Sequence, residues 1–195
     1  MIEETLRLIS DELDRALRRR LPGATSLVAL TNLVDSAGGA VLEAADKVAM
    51  FLVNIEREVI PARSPRYVDP GAGPIATVRP PVHLNLMVMF AASPSGPTYA
   101  EALKLIEGVV LFFQTRAVFT PANTPELPAG VEQLSVEIEN LSTTELSNLW
   151  GILGGRYLPS ILYRFRMLTL DAEQIEAQRR RIEQFDAHAA PALAG

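Results

Sequence analysis

The run from Val82 to Ala92 is apolar on both of its alternating faces, Asn85 excepted. A strand of that kind is stable only when both sides are covered, so it predicts a central place in a sheet with layers above and below. A chain of 195 residues is long enough to supply those layers as one domain with a real core. Its 48% apolar and 21% charged residues match a folded chain and not a disordered one.

The flanking sequence supplies the layers. Ile2, Leu6, Ile9, Leu13 and Leu17 recur at helical spacing, and Leu21-Pro22-Gly23 stops that helix because proline has no N–H to donate. Leu27–Leu30 reads as a short strand before a Gly38-Gly39 turn. From Asp46 to Ile60 the chain alternates as a long strand, with Ala49, Phe51, Val53, Ile55 and Val59 on one face and Asn54, Glu56 and Glu58 on the other.

Thr98-Tyr99-Ala100-Glu101 fits a capping box for a helix carrying Tyr99, Leu103, Ile106, Val110 and Phe113. Ala102, Leu105, Val109 and Phe112 widen that stripe beyond the needs of a surface helix, so one flank is expected on the sheet and the other on a neighbouring subunit. A proline-containing loop (Pro121, Pro125, Pro128) leads to a half-exposed strand with Leu134, Val136 and Ile138 inward. Ser142-Thr143-Thr144-Glu145 caps a helix through Trp150 that Gly154-Gly155 ends. Tyr157–Leu170 is the last strand, Ile161, Tyr163, Phe165 and Met167 facing one way and Arg164 and Arg166 the other.

The class is α+β, a single domain over residues 1–170 with a mostly antiparallel mixed sheet and packed helices. Two segments stand apart. Residues 61–81 hold six of the fourteen prolines and are expected as a long exposed loop. Residues 171–195 read as a polar tail, expected to be helical, with a thin stripe of Ile175, Ile182 and Phe185.

The chemistry-bearing residues are few. There is no cysteine, which excludes thiolate nucleophiles, disulfides and Cys-ligated metals, and with only His83 and His188 a His-based metal site would need carboxylates to do most of the work. The net charge of −5 excludes a phosphate-binding field, and Arg18-Arg19-Arg20 and Arg179-Arg180-Arg181 each lie beside acidic residues. Thus no nucleic acid, membrane, metal or cofactor is expected. No apolar run reaches the roughly 18 residues of a spanning helix, and the acidic N-terminus is unlike a signal peptide, so synthesis and assembly are expected in the cytoplasm.

His83 lies at the start of the buried strand without a nucleophile-elbow motif. Gly71-Ala72-Gly73-Pro74 lacks a Walker lysine, and Gly151–Gly155 closes a helix instead of opening one. Glu56–Glu58 and Glu137–Glu139 show no sign of the unequal burial that an acid–base pair requires. No catalytic residue is assigned.

A string of motifs runs through the chain: Pro80-Pro81-Val82-His83-Leu84-Asn85-Leu86, then Tyr99-x-Glu101-Ala102-Leu103-Lys104, Phe112-Phe113-Gln114, Val118-Phe119-Thr120, Asn123-Thr124-Pro125 and Leu149-Trp150-Gly151. It ends with Tyr157-x-Pro159-Ser160-x-Leu162-Tyr163 and Arg166-Met167-Leu168. In that order they resemble the Pvc16-type N-terminal domain family, the tail-terminator or cap proteins of extracellular contractile injection systems, which are phage-tail-like particles. Met87 stands where an aromatic is expected and Gly155-Arg156 where a small residue and lysine are, and the tail after Asp171 matches least.

The resemblance implies a tail-terminator-like fold and a structural role without catalytic residues. It implies a hexameric ring of the chain with itself, closing the end of a tube and sheath, with the tube and sheath proteins as partners. The loop and tail are then the docking arms, with Tyr67, Val68, Ile175, Ile182 and Phe185 as interface candidates. A soluble binding module with no connection to a tail is compatible with the residues, and so are two more specific functions. One is a terminator or head–tail joining protein of a DNA phage. The other is a small-molecule enzyme using His83 with loop carboxylates such as Asp69.

Overall fold

The computed structural model describes residues 1–21, 23–35, 38–58, 66–68, 75–78, 82–93, 99–154, 156–170 and 175–179. In chain order the elements are α1 (Ile2–Arg20), β1 (Val28–Leu30), a 3-10 turn (Leu42–Ala44), β2 (Lys47–Arg57), β3 (Arg66–Val68), β4 (Ile75–Val78), β5 (Val82–Ser93), α2 (Tyr99–Thr115), β6 (Val118–Phe119), β7 (Leu134–Ile138), α3 (Thr143–Ile152), β8 (Ser160–Leu170) and β9 (Ile175–Arg179). They fall in two compact units, Met1–Val59 with Val82–Leu170, and Ile60–Pro81 with Asp171–Gly195.

The first unit is a six-stranded sheet in the order β1-β2-β5-β8-β7-β6. Only β1 and β2 run parallel. The doubly apolar strand β5 is central, as its composition requires, between β2 and β8. Leu86, Val88 and Phe90 look toward α1 and α2, where Phe90 meets Phe113 and Tyr163 edge-on at 5.4 and 5.6 Å. Met87, Met89 and Ala91 look the other way, onto Trp150 of α3 and Ala44.

Helix α1 buries the predicted stripe, Leu6, Ile9, Leu13 and Leu17, and Gly23 leaves it with φ of +104°. Asp14 ties α1 to β1, its Oδ1 accepting from the Leu27 and Val28 N–H groups at 2.6 and 3.1 Å. The Ser142 box forms as expected. The Ser142 N–H donates to Glu145 Oε2 at 2.8 Å and the Ser142 hydroxyl accepts from the Glu145 N–H at 3.3 Å. Thr98 lies outside the described residues.

Two sequence expectations are corrected here. On α2 the row facing the core is Ala102, Leu105, Val109 and Phe113, while Tyr99 and Leu103 are 58% and 46% exposed. The helix has apolar residues around most of its circumference, so periodicity alone leaves its rotation open. On β2 the register shifts between Leu52 and Asn54. One inserted residue moves everything beyond it to the opposite face. Asn54 and Glu56 therefore share the side of Ala49 and Phe51, opposite Met87 and Asn85, while Ile55 turns to the other side opposite Leu86.

Over Arg66–Val68 and Ile75–Val78 the expected loop is strand. β3 and β4 form an antiparallel hairpin, and β9 pairs antiparallel with β4 in a sheet ordered β3-β4-β9. Over Ile175–Arg179 the tail is a strand, not the expected helix. Its apolar stripe is too thin to hold a helix by packing, whereas the free edge of β4 offers it backbone hydrogen bonds.

Candidate assembly surfaces

Beyond its α3-covered half, one face of the first unit's sheet carries a polar ladder. Alternation on β8 puts Arg164 and Arg166 on this face, opposite Tyr163 and Phe165. β7 sets Glu137 across from Arg164, and the shifted register of β2 sets Glu56 across from Asn85. Each guanidinium then reaches carboxylates on both of its flanks. Arg164 Nη2 lies 3.8 Å from Glu56, and its Nε lies 3.0 Å from Glu139 as an ion pair and not as an aligned hydrogen bond. Arg166 lies 3.3 Å from Glu58 and 3.5 Å from Glu137.

Asn85 is buried in the middle of the ladder, its amide donating to Glu58 Oε2 while its Oδ1 has no partner among the described residues. That hydrogen bond, more than the nearby Arg166 and Arg164, holds the Glu58 carboxyl below the usual carboxylate range against the opposing effect of desolvation. An acid–base pair needs one carboxyl kept protonated, and Glu58 is pushed the opposite way. The ladder's chemistry is charge pairing across strands on a solvent-facing surface.

The apolar candidates cluster elsewhere. Tyr99 and Leu103 stand out from α2, and Ile152 and Tyr157 flank the end of α3, Ile152 at 83% exposure. Tyr157 keeps its ring 5.6 Å from Trp150. Of the interface residues expected from sequence, Tyr67 and Val68 lie in β3 in register with Thr77 and Ala76, and Ile175 opens β9 across from Val78. The fold thus brings the loop and tail candidates into one sheet. Ile182 and Phe185 lie outside the described residues, as does Asp69. His83 is half-buried in β5 and its carbonyl accepts from the Glu58 N–H at 2.9 Å. Among the described residues no three His, Cys, Asp or Glu side chains are grouped to hold a metal, and no helix is long and apolar enough to cross a membrane.

Several quoted motif residues, Val118, Phe119, Thr120, Asn123 and Thr124, are tied together around Arg116. Arg116 donates to Glu12, to the Asn123 carbonyl and to Thr124 Oγ1, with its guanidinium 4.8 Å from the centre of the Phe119 ring. Asn123 accepts from the Thr120 N–H and donates to the Val118 carbonyl. The Val118–Pro125 segment is thereby pinned against α1 and the end of α2.

The model of the Pvc16 N-terminal domain matches residues 7–184. The chain belongs to the Pvc16 N-terminal domain family. Two structures solved by cryo-electron microscopy share the fold. One is the sheath/tube terminator, in the extended state, of the extracellular contractile injection system PVC. It is 13% identical with a TM-score of 0.63, over 100% of this chain and 65% of that one. The other is the tube-terminating cap of the anti-feeding prophage, 14% identical with a TM-score of 0.56, over 92% of this chain and 61% of that one. The Pvc16-type chain described here therefore spans less than two thirds of either. A comparison with curated proteins finds no match.

Proposed function

We propose that this chain is a structural cap subunit, not an enzyme, that ends the tube and sheath of a contractile injection system. It acts as a ring of identical copies, expected to be hexameric, assembled in the cytoplasm and carried on the finished particle. The observation that carries the reading is the likeness to a sheath/tube terminator over 100% of the chain. A closed ring needs two different patches that meet between neighbours, hence more exposed apolar surface than a lone subunit requires. Tyr99 and Leu103 on one side of the sheet, and Ile152 and Tyr157 on the other, supply such patches. Tyr67, Val68, Ile175, Ile182 and Phe185 are the residues proposed to meet the tube and sheath, with strand addition at an edge of the second sheet as the mode.

The test is polymerisation of purified tube protein with and without the chain. Capping predicts shorter tubes with a distinct density at one end in negative-stain images. Tubes of unchanged length with unmarked ends would overturn it.

A further inference from the structure

The groove between α1 and α2 has a charge pattern that the fold does not need. The helices run antiparallel, with Gly108 against Leu17 at one level and Arg116 against Glu12 at another. A Cβ at Gly108 would run into a methyl group of the Leu17 side chain, which would have to shift to admit one. Above that contact an open groove of about 530 Å³ remains, floored by Leu17, Leu111 and the half-buried Phe112. This lies within the roughly 300–1,000 Å³ of ligand-binding clefts.

Its rim is basic. Arg116 is neutralised by Glu12, at 2.6 Å. Arg18 is paired with Asp14 at 2.8 Å. Arg19 and Arg20 line the groove exposed and make no ion pair or hydrogen bond with any described residue. Three guanidiniums therefore face the groove against the single carboxylate of Glu12, in a chain whose net charge is −5. Basic residues in the last turn of α1 complement the helix dipole, but that effect needs neither an apolar floor nor a cleft beside them.

The geometry points to a docking groove for an acidic, leucine-bearing segment of a partner protein. Its carboxylates pair with Arg19 and Arg20, and its apolar side chains cover Leu111 and Phe112. Charge complementarity selects the occupant, because an apolar segment would leave both guanidiniums unused and a basic one would be repelled.

The experiment uses the full chain and a short fluorescent peptide of glutamate and leucine, with the glutamine–leucine peptide and a DNA oligonucleotide as comparators, read by anisotropy. The glutamate peptide should bind at least about tenfold more tightly than the glutamine one, a difference of about 1.4 kcal/mol. The Arg19→Glu/Arg20→Glu variant should lose that preference, and added salt should weaken binding. Both arginines are exposed, so the variant should keep its far-UV circular dichroism. Equal binding of the two peptides, tighter binding of DNA, no binding at all, or an unchanged preference in the variant would each overturn the proposal.

Discussion

Tyr163 sits between Phe90 and Phe113, 5.6 and 4.7 Å from their ring centres, with 2% of its surface exposed. Desolvation pushes its phenol up to about 12. The unfolded chain ionises this tyrosine near 10, so between pH 10 and 12 the unfolded state binds fewer protons than the folded one. Stability therefore falls with rising pH across that window, by up to about 3 kcal/mol from this group. Tyr163→Phe should flatten that part of the curve in urea melts taken from pH 9 to 12. An equally steep decline in the variant would place the effect elsewhere. Asn85 is the opposite case, a polar residue buried in an apolar strand. Its position in the strand was plain from sequence, but its partner Glu58 was not, because the contact depends on a register slip in β2.

That slip also shows where sequence periodicity ran out for whole elements. The alternation in β2 was visible from Lys47 to Arg57, and so was the pairing of Glu137 with Glu139 and of Arg164 with Arg166. Nothing in the sequence marks the bulge beside Val53, and without it Glu56 and Glu58 face away from the arginines. Helix α2 was legible in extent and ambiguous in rotation for a related reason, since Leu103 and Leu105 are equally apolar. β6, β3 and β4 are too short for alternation to register. β9 forms because a partner edge exists, which no local pattern reports. By contrast the Ser142 box and the stripe of α1 depend on neighbours a turn away and were fully legible.

The ladder itself makes an element-scale prediction. Arg164→Ala with Arg166→Ala would leave four carboxylates on one face of the sheet, Glu56 and Glu58 from β2 and its end and Glu137 and Glu139 from β7 and its end. Four partly exposed pairs at ~0.2–1 kcal/mol each suggest a loss of about 1–4 kcal/mol. The thermal midpoint should drop and should recover in part with added salt, which screens the residual repulsion. A midpoint unchanged at low salt would mean that the ladder contributes nothing to stability.

At the scale of the whole molecule the two sheets repeat one order. The chain passes from β2 into β3, from β4 into β5 and from β8 into β9, so β3-β4-β9 follows the order of β2-β5-β8. The described strands of the loop and tail segments thus share one sheet, β9 standing to β4 as β8 stands to β5. The described residues offer exposed apolar side chains, sheet edges and a basic groove. That distribution suits a protein whose work is done by its surfaces, and the family to which it belongs is consistent with a cap. Native mass measurement of the full chain, alone and with tube protein, tests this most directly when joined to negative-stain imaging. A discrete closed ring of identical copies, seated at tube ends, is the result predicted. A strict monomer at high concentration, forming no ring even with tube protein present, would contradict it.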